Sequence, residues 1–241
     1  MFAREKIRLF VDTPLHAGQS VDLTRAQAHY LFGVMRLGAG ARLALFDGQS
    51  GEWTAQVAEA GKRAGRLDVL GQSAPQLDPP DLWLLFAPIK KARTDFIVEK
   101  AAEMGAARIM PVQTAFTNAE RIRQDRLQAH AVEAAEQCGG TFVPPVEALQ
   151  KLDKVLANWP EDRQILFADE ALVGAGKALD RAGGEKWAIL IGPEGGFSDA
   201  ERTRLRAMAQ AHPVSLGPRI LRADTAAVAA LTLWQTVLGD W

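Results

Sequence analysis

Cysteine is nearly absent from this 241-residue chain: Cys138 stands alone, so no internal disulfide can form and a reducing compartment is expected. Histidine is also scarce. The four present, His16, His29, His130 and His212, are too scattered for a zinc spacing, so no metal is expected. Net charge is almost missing: 28 Lys and Arg stand against 29 Asp and Glu, which leaves no global field to gather a polyanion. Any nucleic-acid surface must therefore be a local patch. Long apolar runs are lacking too. The longest, residues 82–89, is far too short to span a bilayer, and the opening MFAREKIRLF has no apolar core of a secretory signal. These absences point to a soluble, cytoplasmic protein with no membrane partner.

What the chain does contain is core material. With 48% of its residues hydrophobic, it is long enough to bury a sizeable interior in one domain or two. Up to about residue 72, short apolar or alternating stretches are broken by glycine, as in ARLALFDGQSGEWTAQVAEA, where Asp47-Gly48 and Gln49-Ser50-Gly51 mark a tight turn between strands. The exception is TRAQAHYLFGVMRLG. There Thr24 can cap a helix, Ala28, Leu31 and Met35 recur at helical spacing, and Gly38 can end it. Residues 1–72 are therefore expected to form a small β-barrel with one helix. Residues 73–81, SAPQLDPPD, hold three prolines and two aspartates and read as a linker.

From residue 82 to 241, strand-like and helix-like segments alternate: LWLLFAPI, RTDFIVEKAAEMG, ARIMPVQT, RIRQDRLQAHAVEAAEQCGG, QILFADE, WAILIG, a helix from Ser198, PVSLG, and a last apolar helix from about Asp224 to Leu238. Such alternation implies a parallel sheet covered by helices on both faces. Ligands of such sheets sit at the carboxyl ends of the strands, where the stretch LIGPEGGFSDAE, residues 190–201, places its glycines.

That glycine loop is not a phosphate loop, because Phe197-Ser198-Asp199 follows it instead of a lysine, and Glu194 and Asp199 would repel a triphosphate. Nor does it match a dinucleotide fingerprint, since its glycines fall at 192, 195 and 196 around Pro193. A backbone open to a neutral or cationic ligand is one reading; a plain strand-to-helix turn, capped reciprocally by Ser198 and Glu201, is the other. A second break, VSLGPRILRADTAAVAAL, puts Gly217-Pro218 after a short strand and Asp224 as the N-cap of the final helix. Two Gly-Pro breaks after neighbouring strands can face each other across one slot, with Ile220 and Leu221 as apolar wall and main-chain groups facing the edge of an adenine.

LIGPEGGFS, SLGPRILRADTA, EAAEQCGG followed by VPPV, EKAAEMGAARIMPV and HYLFGVMRLGAGARLALFDG occur in this order over nearly the whole chain. Together they resemble the bacterial 16S ribosomal RNA uridine-N3 methyltransferases of the SPOUT superfamily (RsmE type). The resemblance implies an α/β fold with a SPOUT-type knotted parallel sheet flanked by helices, preceded by a small PUA-like β-barrel domain that assists RNA binding. It implies S-adenosylmethionine held in a deep trefoil knot, 16S rRNA of the small ribosomal subunit as partner, and a homodimer with a shared active site. Generic topology rules favour an unknotted sheet, so the knot is implied by the resemblance alone. A non-catalytic RNA-binding module is the alternative function, and a Rossmann-type nucleotide enzyme is disfavoured by the missing fingerprint.

Carried onto this chain, the resemblance lines the cofactor slot with Ile191, Gly192, Glu194, Gly195 and Gly196 from the first loop and Leu216, Gly217, Ile220, Leu221 and Arg222 from the second. A sulfonium cofactor without phosphate suits a slot without lysine. Glu194 is read equally as a cofactor neighbour or as a loop acid bonding nearby N–H groups. Methylating uridine N3 requires loss of its proton, and a guanidinium beside the ring carbonyls would stabilise the developing negative charge. Arg222 is the leading candidate, with a phosphate contact or an ion pair to Asp224 or a partner subunit as the competing roles. No side chain stands out as the base, and water can accept the proton.

For RNA phosphates the candidates are Arg4, Lys6 and Arg8 at the N-terminus, Arg36 on the first helix, and Lys90, Lys91 and Arg93 after the first strand of the second domain. An ordinary solvated face accounts for any one of them. The last helix, with Leu231, Trp234 and Leu238 on one stripe, is expected in a two-fold interface. Two departures from the family pattern stand out: Asp224 replaces a frequent Glu, and Gly140 replaces a common Arg.

Overall fold

The computed structural model describes residues 5–119, 121–169 and 184–241. The chain divides into two compact units, residues 1–78 together with 135–142, and residues 79–134 together with 143–241. The division falls inside the proline-rich stretch, but the strand entering it runs to Ala74, two residues into the expected linker. Membership of residues 135–142 in the first unit was not anticipated. It follows from hydrogen bonds that pattern reading cannot find: Arg8 Nη1 donates to the carbonyl of Ala135 at 2.6 Å, and the Leu77 N–H donates to Thr141 Oγ1 at 2.9 Å.

The first unit holds β1 (Arg8–Phe10), β2 (Ser20–Asp22), β3 (Arg42–Phe46), β4 (Glu52–Ala60) and β5 (Gly65–Ala74), in the sheet order β1-β3-β4-β5-β2. Register shifts between Glu52 and Trp53, Thr54 and Ala55, and Val57 and Glu59 bulge the β4–β5 pairing and curl the sheet. Leu43, Leu45, Val57, Leu67 and Val69 line its interior. The Asp47 turn closes as its sequence suggests. Its carboxylate accepts from the N–H groups of Gln49, Ser50 and Leu15. Burial opposes its ionisation, but the bonds from Ser50, Gln49 and Leu15 hold the carboxyl below its ordinary range.

Thr24 and Gln27 form a reciprocal cap on α1 (Arg25–Ala28), which then widens into a π-helical turn, His29–Val34. There the Met35 N–H bonds the Tyr30 carbonyl, five residues back. The wider turn breaks the expected stripe: Ala28 and Leu31 are buried, while Met35 is 39% exposed. The helix also stops before Gly38, because Arg36 enters the left-handed region at φ 57°.

The second unit is a parallel sheet in the order β11-β9-β10-β6-β7-β8. Its strands are β6 (Leu82–Phe86), β7 (Arg108–Gln113), β8 (Gln150–Lys151), β9 (Gln164–Ala168), β10 (Trp187–Ile191) and β11 (Ala211–Val214). The helices are α2 (Lys91–Glu103), α3 (Gln124–Cys138), whose residues from 135 on belong to the first unit, α4 (Leu152–Ala157), α5 (Asp199–Ala207) and α6 (Ala223–Leu238). Alternation along β10 feeds two cores. Ile189 and Ile191 pack with Ile97, Val98, Ala230 and Leu231, while Ala188 and Leu190 pack with Leu152, Leu156 and Leu205. Every residue of β10 is buried, as a strand covered on both faces requires.

Two expectations about α6 are corrected. Leu231 and Trp234 are 0% and 1% exposed inside the chain's own core, with Leu238 packed against it, so this stripe is not a free two-fold surface. An apolar helix beside a sheet buries its strongest stripe there first. The N-cap is Arg222 rather than Asp224, whose carboxylate instead accepts from the Thr225 N–H at 2.9 Å within the first turn. Strand β11 ends at Val214, before the expected PVSLG run is complete, because Ser215 turns into the loop and its hydroxyl donates to the Gly217 carbonyl at 3.2 Å. Among the described residues no helix is long and apolar enough to cross a membrane.

Candidate functional site

Strands β9, β10 and β11 end side by side, with β9 between the other two, and the end of β9, the loops leaving β10 and β11 and the first turn of α6 line a cleft. Ala168 and Asp169 come from the end of β9, residues 191–194, 196 and 197 from the end of β10 and its loop, and residues 214–221 from the end of β11 and its loop. The cleft thus sits over the carboxyl ends of parallel strands, where open α/β sheets bind ligands.

The first loop needs glycine for steric reasons. A Cβ on residue 192 would stand 3.2 Å from Cε2 and Cζ of Phe197, which is buried under the loop, and Gly196 has φ 69°. The Gly196 N–H closes a turn onto the Pro193 carbonyl at 2.8 Å, and Ser198 with Glu201 then caps α5 reciprocally. Glu201 does a second job. Its Oε1 accepts from the Ala115 N–H at 2.8 Å, which pins the segment carrying Phe116 so that its side chain lies against Gly195. In the second loop Gly217 has φ 124°, open to glycine and strained for other residues.

Eight of the ten expected cofactor residues line this cleft: Ile191, Gly192, Glu194, Gly196, Leu216, Gly217, Ile220 and Leu221. Gly195 and Arg222 are not among the lining. Gly195 faces Phe116, and Arg222 is exposed at the start of α6, between Leu221 and Ala223, which do line it. Sequence reading missed Phe197, Ser215, Arg219 and, above all, Asp169. Asp169 is 1% exposed, and its oxygens accept from Arg202 Nε at 3.2 Å and Arg206 Nη2 at 2.7 Å. Its signal was available: an acid directly after the apolar run of β9, where strand ends build sites. None of the described residues lining the cleft is a lysine, and no described group of three or more His, Cys, Asp or Glu could hold a metal.

The basic candidates separate. Lys90 and Lys91 are exposed at the start of α2, and Lys6 and Arg36 are exposed in the first unit. Arg4 lies outside the described residues. Arg8 is corrected: it is 7% exposed, its Nε meets Glu52 Oε2 at 2.8 Å, and its other nitrogens reach the carbonyls of Ala135, Glu136 and Gly140. With its donors used inside the unit, it is unavailable to a phosphate. Gly140 is thus a backbone acceptor here, its carbonyl taking the Arg8 Nη2 bond at 2.7 Å. Arg93 is also displaced from the RNA set. Its Nη1 lies 3.4 Å from Asp224 Oδ2 and 4.0 Å from Glu194 Oε1, so it belongs to the cleft rim.

Comparison with known proteins agrees with this geometry. Residues 76–235 match the family described as an RNA methyltransferase domain, and residues 23–70 match an RNA methyltransferase PUA domain. The chain is 27% identical over 231 residues to ribosomal RNA small subunit methyltransferase E of Rickettsia conorii, covering 93% of each protein. It is 33% identical over 222 residues to the Synechocystis protein of that name, covering 88% of this chain and 71% of the relative. The crystal structure of the Neisseria gonorrhoeae protein of that name, bound to S-adenosyl methionine, superposes with a TM-score of 0.89 at 27% identity, covering 98% of this chain and 99% of the other. A putative methyltransferase of Legionella pneumophila in complex with the same cofactor superposes equally well, at 28% identity and the same coverage. With the matched domain spanning well over half its length, a PUA domain before it, and a glycine-walled cleft at the carboxyl ends of its parallel strands, the chain belongs to the RNA methyltransferase family of the SPOUT type.

Proposed function

We propose that this protein transfers a methyl group from S-adenosylmethionine to N3 of a uridine in the 16S ribosomal RNA of the small subunit, acting in the cytoplasm as a homodimer. The observation that carries this reading is the meeting of two glycine loops, after β10 and after β11, in one cleft whose described lining holds no lysine. That cleft fits the cofactor's chemistry. Ile191, Leu216, Ile220 and Leu221 offer apolar wall, the loop backbones offer N–H and C=O groups to a planar heterocycle, and the carboxylate of Glu194 at the rim is compatible with a sulfonium. Gly195 holds its place in the set by letting the loop pass close to Phe116.

When bound, S-adenosylmethionine supplies the electrophilic methyl group. The chain's own task is to orient the acceptor in line with it, and to stabilise the uracil ring as its N3 proton leaves to water. Arg222, exposed beside the cleft lining and free of a capping duty, is the guanidinium proposed for that charge. Lys6, Arg36, Lys90 and Lys91 would anchor phosphates without reading sequence. Relatedness to SPOUT enzymes supports a trefoil knot around the cofactor. The homodimer is supported by Phe96 on α2 and Val237 on α6, exposed by 38% and 44%, with Trp241 just beyond at 62%.

Titration calorimetry with S-adenosylmethionine tests the cleft. Transfer of labelled methyl to small subunits lacking the modification, followed by nucleoside mass spectrometry, tests the acceptor. A single N3-methyluridine is expected. Absence of binding overturns the reading, and binding without transfer favours the non-catalytic RNA-binding module.

A further inference from the structure

Glu194 lines the cleft from the glycine loop after β10, and Asp224 stands in the first turn of α6, between the lining residues Ala223 and Ala226 of the helix that the loop after β11 feeds. The two acids are thirty residues apart in sequence, and each is within ion-pair distance of one guanidinium, that of Arg93. Arg93 stands in the first turn of α2, after the neighbouring strand β6, and its N–H bonds the Lys90 carbonyl at 2.9 Å. Its side chain is 29% exposed and that of Asp224 19%, but Nη1 itself is shielded from solvent and makes no hydrogen bond, so neither acid holds it in a directed bond.

We propose that Arg93 is a positioning residue that brackets the cofactor cleft, holding its two walls at a fixed separation by attracting an acid on each. This rests on the proposed cofactor site and adds to it the group that sets its width. Both acids face one nitrogen, Nη1, and a rigid, always-charged guanidinium holds that nitrogen between them where an ammonium on a flexible stem would follow either acid. Without it, two negative groups on opposing loops would face one another with no counter-ion, and the loops would drift apart.

Charge sign separates this bracket from a simple field effect. S-adenosylmethionine carries a sulfonium, so removing a nearby positive charge without moving the walls should tighten its binding. Loss of a bracket should weaken it. The product, S-adenosylhomocysteine, lacks the sulfonium and reports on wall spacing alone.

The experiment measures binding of both compounds by calorimetry to the full chain and to Arg93→Ala, Arg93→Lys, Asp224→Asn and the Arg93→Ala/Asp224→Asn double variant, with thermal midpoints alongside. Arg93→Ala is expected to weaken S-adenosylhomocysteine by about three- to thirtyfold and S-adenosylmethionine by less, since the lost positive charge favours the sulfonium, with Arg93→Lys between it and wild type. The double variant should be no weaker than the weaker single one, since both remove the same pair. Unchanged or tighter S-adenosylhomocysteine binding in Arg93→Ala, or additive losses in the double variant, would each overturn the bracket while leaving the cofactor site standing. If wild type binds neither compound, the cofactor reading itself fails. Should Arg93→Ala not fold, Arg93→Gln carries the same comparison.

Discussion

Phe197 occupies the space that any side chain on residue 192 would enter: a Cβ on Gly192 would lie 3.2 Å from two atoms of its ring. The ring cannot retreat. It is 1% exposed and held edge-on against Phe167, centroids 6.3 Å apart. Gly192→Val should therefore push the first loop into the cleft, costing about 1–3 kcal/mol of stability by overpacking and weakening S-adenosylmethionine at least tenfold. Urea denaturation and calorimetry measure the two effects. Wild-type affinity in this variant would show that the loop does not wall the cofactor.

Arg8 and Glu52 form a buried pair, their side chains 5% and 7% exposed, and Ser73 adds a hydrogen bond to the free oxygen of Glu52 at 3.1 Å. Arg8→Met leaves that carboxylate uncompensated and should destabilise the protein by about 3–5 kcal/mol in urea denaturation. Arg8→Met with Glu52→Leu should recover most of the loss. A variant of unchanged stability but weakened RNA binding would return Arg8 to the phosphate-contact set.

Arg222→Ala removes an exposed side chain that makes no capping bond, so the thermal midpoint should stay within about 1 °C of wild type. Methyl transfer should fall about a hundredfold or more if this guanidinium stabilises the uracil anion. Single-turnover assays with saturating cofactor make the measurement, and near-normal turnover would remove Arg222 from the mechanism.

His212 bonds Gln164 Oε1 through Nε2 at 2.8 Å and rests on Trp187, ring centroids 5.4 Å apart. Burial pushes its pKa below the ordinary 6.5, so the folded state prefers the neutral ring. The sign follows: stability from this group is complete above the unfolded value, near 6.5, and is lost as pH falls toward the lower folded value. Urea midpoints measured from about pH 7.5 down to about 5 should fall more steeply for wild type than for His212→Gln. Parallel slopes would exclude His212 as the source.

Much of the second unit was legible because its signals are local. The apolar run of β10 announced a strand buried on both faces, and Ser198-x-x-Glu201 announced the start of α5, needing only neighbours three residues apart. The glycine spacing of 190–201 excluded polyphosphate before any fold was known. The first helix was less readable, because a π turn shifts which residues face inward without changing composition. The stripe on α6 was read correctly as apolar and assigned to the wrong surface, since periodicity reports that a face is buried and not what buries it.

By itself, the amino-acid order determined the parallel α/β sheet, the curled β unit before it and the two glycine loops, because hydrophobic period, capping and backbone freedom act over a few residues. Tertiary structure alone decided that Arg8 is buried, that Asp169 enters the cleft wall, and that Arg93 sits between Glu194 and Asp224. Each of these rests on groups tens to more than a hundred residues apart. A charge's role depends on what the folded chain brings within a few ångströms of it, and that distance is written in no local pattern.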